Sequence, residues 1–159
     1  MPAPETEEAL TRGLQAGYGG QIQFKTINRG GFLLKSSHLE KDGIVYHDEW
    51  INGGGQELVL VGDVQYTRLY AGGTVDKEIL TELGLTEKIV IGELIRVILE
   101  QGNKTRLHQD CHPNINGSWK YTYEVLDIDS HLPVTFAKET ITYKSQVVFV
   151  HDLLLCPVK

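Results

Sequence analysis

Two stretches of the chain share one plan: ELVLVGDVQYTRLY from Glu57 and ETITYKSQVVFVHD from Glu139. Each opens on a glutamate, runs as a strand rich in β-branched and apolar residues, turns tightly and returns with aromatic side chains. Such a pattern demands an antiparallel pair, because a short turn leaves no chain for a crossover. Gly62 can supply the positive φ of a two-residue turn in the first stretch, and Lys144–Ser145 breaks the second. The offset between them is constant without gaps, and an aromatic strand with acids precedes each, VYHDEW and then YTYEVLD. We read a three-strand unit used twice, at about 43–73 and 117–155. The competing reading is that hairpins of similar composition simply look alike.

Helices surround and divide these units. Pro4 to Ala16 reads as a short helix with Ala9, Leu10 and Leu14 on one side and Gly17 as its stop. An irregular, Gly-containing stretch reaches Gly31, GGFLLKSSHL reads as a strand, and KDG at Lys41–Gly43 is a turn. INGGGQ reads as a wide connection between strands; no GK[ST] follows, so a phosphate loop is disfavoured. Between the units, Val75 to Leu83 predicts a first helix closed by Gly84. A second begins at the capping residue Thr86 and ends at Gly102. Its apolar residues, from Ile89 to Leu99, exceed one stripe, which predicts a buried central helix. The expected fold is therefore α+β: an antiparallel β-sheet of two related meander units, curved around a central helix, in a single domain over 1–159.

Charge and cysteine content restrict partners. A net charge of −6 with no Lys/Arg cluster gives no counterion release on nucleic acid, so direct DNA or RNA binding is not expected. The most apolar segment, KIVIGELIRVIL, is interrupted by charges, so no membrane span is expected. The start, MPAPETEEAL, lacks the features of a signal peptide, and Cys111 and Cys156 read as reduced thiols of a cytoplasmic protein. On that reading the NKT and NGS triplets at Asn103 and Asn116 are chance matches to a glycosylation pattern.

The order LEKDGIVYHDEW, a glycine-rich gap, GQELV, a hairpin, YAGG, two helices and ETITYKSQVVFVHD resembles a bacterial family of unknown function. Its members are small α+β proteins, found alone or behind a helix-turn-helix DNA-binding domain. Tyr46, Asp48, Glu57, Tyr70, Glu139, Tyr143 and His151 carry the likeness. The family pattern has glycine where this chain has Asp152. The resemblance implies a stand-alone ligand-sensing or interaction module and no known activity.

Three groups of side chains bear on chemistry. RLHQDCHPNING, from Arg106 to Gly117, gathers His108, Asp110, Cys111 and His112, all types that bind transition metals. His108 and His112 would face one ion only on a helix, which Pro113 opposes, and no second Cys/His pair exists; the expectation is a polar loop and no cofactor. DIDSH sets Asp129, Ser130 and His131 side by side, but neighbours on a strand point to opposite faces, so no triad follows. The third group is Asp48, Glu57 and Glu139 on paired strands, with Tyr46, Tyr70, Tyr143 and His151 nearby. Two carboxylates meeting in one cleft would form an acid/base pair; the alternative puts the acids on the solvent face. The expected function is a small-molecule or peptide binding module using these seven residues. The alternatives are a hydrolase or isomerase using paired carboxylates, and an interaction protein that forms a homodimer through a sheet edge.

Overall fold

Tight turns, each taking its positive φ from a residue at its tip, fold this chain into one antiparallel sheet. Gly30–Gly31, Asp42–Gly43 and Gly62 all carry positive φ at strand junctions, as do Lys144 and Ser145. The computed structural model describes residues 4–18, 23–114 and 117–158. In chain order these form α1 (Pro4–Tyr18), β1 (Lys25–Arg29), β2 (Phe32–Lys41), β3 (Ile44–Ile51), β4 (Gly54–Val61) and β5 (Val64–Thr74). Then follow α2 (Lys77–Glu82), α3 (Glu87–Gln101), β6 (Trp119–Ile128), β7 (Thr135–Tyr143) and β8 (Gln146–Pro157). The strand order is β1-β2-β3-β4-β5-β8-β7-β6, every pair antiparallel. This is an α+β architecture with one eight-stranded sheet.

The helices lie on one face of that sheet. Ala9 and Leu10 of α1 are fully buried against Val59, Tyr66 and Leu155. Val90, Leu94, Val97 and Ile98 of α3 join a larger core with Phe149, Leu153 and Ile141. Thr86 caps α3, its Oγ1 accepting from the Ile89 amide at 3.3 Å, and Gly102 closes the helix at φ 54°. After α3 the chain passes beneath the helices, and Thr105, Arg106 and Leu107 are all buried there.

Several expectations need correcting. The stretch read as irregular before Gly31 contains β1, a short edge strand; its residues alternate weakly because both its faces are largely exposed. α3 is not buried all round: Ile89 and Leu99 remain about half exposed, so it is a one-sided helix on the sheet. α1 continues to Tyr18, past the expected stop at Gly17. The glycines at 19 and 20 and Asn116, the first residue of its triplet, lie outside the described residues.

Candidate functional site

Alternation along the strands sends Tyr46, Asp48, Glu57, Arg68, Tyr70, Glu139 and His151 toward the helices. All seven are buried, and Glu57 and Glu139 have no exposure at all. A charged group there needs a partner, since burial without one costs several kcal/mol. Each glutamate has an arginine. Arg68, opposite Glu57 in the β4–β5 register, donates from Nε at 2.5 Å to Oε2 and from Nη2 at 2.8 Å to Oε1. Arg106, from the buried segment after α3, donates from Nε and Nη2 to Glu139 at 2.8 and 2.7 Å. The two forks are joined: Arg68 Nη1 donates to the Arg106 carbonyl at 2.6 Å. Arg106 reaches this position at φ 60°, a conformation unusual outside glycine and often kept where a site requires it.

The hydroxyls complete the network. Tyr46 donates to Glu57 at 2.5 Å and Tyr121 to Glu139 at 2.6 Å. Each tyrosine stands opposite the residue two positions beyond its glutamate, Val59 and Ile141 respectively. Thr105 Oγ1 lies 2.5 Å from the Tyr121 hydroxyl, and Tyr123 donates to the Leu107 carbonyl. His151, opposite Glu139, holds Nδ1 3.4 Å from both Glu139 Oε1 and Arg106 Nη2. Burial pushes both glutamates toward the neutral form, but the adjoining guanidiniums outweigh it. Glu57 is held below the usual carboxylate range and Glu139 well below it. Burial, with the adjoining glutamates, raises the Tyr46 and Tyr121 phenols well above normal.

Two glutamates and two arginines balance, which leaves Asp48 as the odd carboxyl. It faces Glu57 across β3–β4 and takes its hydrogen bond from Tyr70, at 3.0 and 3.3 Å to its two oxygens. Burial first, then the Glu57 charge, raises its pKa to about 8, so it carries a proton at neutral pH.

Beside this network lies a cleft of about 370 Å³. Tyr70 and His151 line it and are the network's two residues that do so. Their rings are 5.4 Å apart, and the Phe149 ring lies 4.4 Å from His151. Ile91 and Leu94 of α3 form an apolar wall, with Trp50 and Lys35 on the sheet side and Glu87 the cleft's one carboxylate. Glycine makes the close approach possible. A Cβ on Gly55 would stand 2.4 Å from the Tyr70 hydroxyl, and one on Gly72 would stand 2.0 Å from the Val150 carbonyl. The INGGGQ cluster is thus neither a phosphate loop nor a wide connection. Gly54 and Gly55 begin β4, and Gly53 and Gly54 line the cleft. A second cleft of about 350 Å³ contains Glu93, Arg96, Glu100 and Tyr121. Its charges pair with one another, Arg96 bridging both glutamates at 2.5 Å.

Six of the seven sequence-predicted residues therefore meet in one region. Tyr143 does not: near the turn to β8, its ring packs at a tilt against Trp119, with centroids 4.7 Å apart. Neither reading of the acids holds: Asp48, Glu57 and Glu139 are buried and not on the solvent face. Glu57 and Glu139 do not pair with each other, because each is matched to its own arginine; the facing carboxyls are Asp48 and Glu57. Arg68, Arg106, Tyr121 and Tyr123 were not foreseen. A register laid out from the Gly62 turn would have put Arg68 opposite Glu57, but no pattern marks Arg106.

The remaining candidates, the exposed His112 apart, have structural neighbours that account for them. Nδ1 of His108 lies 3.0 Å from Glu7 of α1, His112 is exposed, and Asp110 accepts from the Val125 amide at 2.7 Å. Cys111 forms an isolated bridge with Tyr123, which ties the loop to β6. No cluster of three or more His, Cys, Asp or Glu placed to hold a metal occurs among the described residues. Asp129 accepts from the His131 and Leu132 amides at 2.7 and 2.9 Å, so DIDSH ends β6 at Ile128 and turns from Asp129 onward. No described helix is long and apolar enough to cross a membrane.

Comparison with protein-family models, curated proteins and solved structures gives no match to this chain.

Proposed function

We propose that this protein is a small-molecule binding module whose ligand occupies the cleft over Tyr70 and His151. The observation that carries this reading is the cleft's composition. It has aromatic and apolar walls, two polar side chains at its base anchored in a buried ionic network, and a single carboxylate. Its volume of about 370 Å³ suits a metabolite better than a peptide. A ligand with a flat apolar body would rest against Trp50 and Ile91, presenting a hydrogen-bonding head to Tyr70 and His151. The network holds both groups in place before binding, which lowers the ordering cost. A sensing role, and membership of the bacterial family that the sequence resembles, belong to this proposal.

The two-unit reading also belongs here, with β3–β5 and β6–β8 as related meanders. Glu57 faces Arg68 and Glu139 faces His151, while Tyr46 and Tyr121 serve their glutamates from equivalent positions. The irregularity between Ile141 and Thr142 adds one residue to β8, so His151, not Val150, takes the place of Arg68. In the β5–β8 pairing Tyr70 stands opposite Leu153, and Arg68 and His151 lie two residues to either side. A twofold axis through that pair would relate the units and put the cleft on one side of it.

A second reading, acid–base catalysis by a hydrolase or isomerase, rests on Asp48 alone. A protonated carboxyl behind Tyr70 could pass a proton to a bound substrate. Glu57 and Glu139 are unsuited to that role, being locked in arginine forks.

A metabolite library tested by thermal shift separates these readings from no function at the cleft. A ligand at a hundred times its dissociation constant adds about 2.7 kcal/mol. The shift should disappear in Ile91→Trp, which fills the cleft from a half-buried helix position. A shift that survives Ile91→Trp refutes the cleft; turnover of the ligand that is lost in Asp48→Asn establishes catalysis.

A further inference from the structure

On the sheet face opposite the buried network, His38 of β2 and His47 of β3 stand directly opposite each other. Their Nδ1 atoms approach to 3.0 Å, with ring centroids 5.3 Å apart. Each ring's other nitrogen is held by a carboxylate two residues along its own strand, on the same face. His38 Nε2 lies 2.9 Å from Glu40, and His47 Nε2 lies 3.1 Å from Glu49. Arg29 of β1 fixes Glu49 in turn at 3.0 Å.

This arrangement determines the tautomers. A carboxylate only accepts, so each Nε2 must carry hydrogen. In a neutral imidazole that leaves Nδ1 as a bare lone pair. Two such lone pairs would then face each other at 3.0 Å, which is repulsive unless something electrophilic lies between them. Either a proton or a metal ion meets that requirement. Tetrahedral Zn²⁺ with Zn–N bonds of about 2.0–2.1 Å separates its nitrogens by about 3.3–3.4 Å, a few tenths beyond the spacing here. A carboxylate behind each ligating imidazole is the usual support for such ligands.

We propose that His38 and His47 form a two-histidine site for a divalent transition-metal ion of the zinc class. Glu40 and Glu49 orient the rings, and water fills the remaining coordination positions. Both histidines are substantially exposed, with side chains 48% and 32% accessible, so an ion reaches the site without unfolding. The cluster is distinct from the His108–His112 loop and from the cleft, and its test is independent of the proposed function.

The experiment is calorimetric titration of the full chain with Zn²⁺, alongside NMR of the imidazole nitrogens. We expect one equivalent to bind, with the Nδ1 signals of His38 and His47 moving while both Nε2 stay protonated. His38→Ala and His47→Ala should each abolish that binding. The double variant Glu40→Gln/Glu49→Gln should weaken it about 10–100-fold. His108→Ala/His112→Ala should leave it intact. These positions, other than the half-buried His47, Glu49 and His108, lie at the exposed surface, and circular dichroism checks each fold. No saturable binding, binding retained in either single-histidine variant, unchanged affinity in the glutamine variant, or loss confined to the His108/His112 variant would overturn the proposal.

Discussion

Asp48→Asn should make this protein more stable, and the gain should grow with pH. Asp48 is 4% exposed, and its folded-state pKa of about 8 stands against an ordinary value of 3.8. A carboxyl with a raised pKa binds its proton more tightly when folded, so the unfolded chain releases it first as pH rises. Folding then loses stability across the window from about pH 4 to about pH 8 and levels off above it. At about 1.4 kcal/mol per pKa unit, the cost is about 2 kcal/mol at pH 5 and about 4 kcal/mol at pH 7. Asparagine keeps the shape and can accept the Tyr70 hydrogen bond, but has no proton to lose. Urea unfolding of both proteins at pH 5, 7 and 8.5 measures the difference directly. The advantage of Asp48→Asn should increase by about 2 kcal/mol between pH 5 and pH 7. A constant difference, or one that shrinks as pH rises, would refute the claim that Asp48 is the unmatched carboxyl.

Other perturbations test other parts of the network. Glu139→Gln leaves Arg106 buried beside a neutral amide and should cost about 3–5 kcal/mol in urea unfolding; Lys138→Gln, which removes an exposed pair with Asp152, should cost under about 1 kcal/mol. Glu57 and Glu139, with lowered pKa values, stabilise the fold above the unfolded carboxylate pKa. That contribution is lost as pH falls below about 4, so wild-type stability should drop there while the Asp48 penalty fades. Gly13→Ala would put a Cβ 2.0 Å from the Tyr46 ring, so α1 should loosen from the sheet. Hydrogen exchange in α1 should accelerate, and stability should fall by about 1–3 kcal/mol.

The sheet was legible because strand alternation and two-residue turns are local signals. β6 is found where WKYTYEVLDI predicts it, and Thr86 caps α3 as its hydroxyl suggests. β1 was missed because KTINR buries almost nothing and so shows no alternation. α3 was misjudged because Ile89 and Leu99 are apolar yet exposed, and sequence alone assigns them to a core. At the site, tyrosines and acids stood out by their clustering, whereas Arg68 and Arg106 looked like ordinary surface cations. Burial of an arginine is decided by a partner distant in sequence, and for Arg106 that partner is Glu139, reached from a loop at positive φ. The pairing of carboxylates could not be read because charge balance depends on those two unseen arginines.

The most direct test of the binding module is a crystal structure of the protein soaked with the compound giving the largest thermal shift. The account predicts that compound between Trp50 and Ile91, within hydrogen-bond distance of Tyr70 or His151, with the Glu57–Arg68 and Glu139–Arg106 forks unmoved. A compound seated elsewhere, with the cleft holding only water, would contradict it.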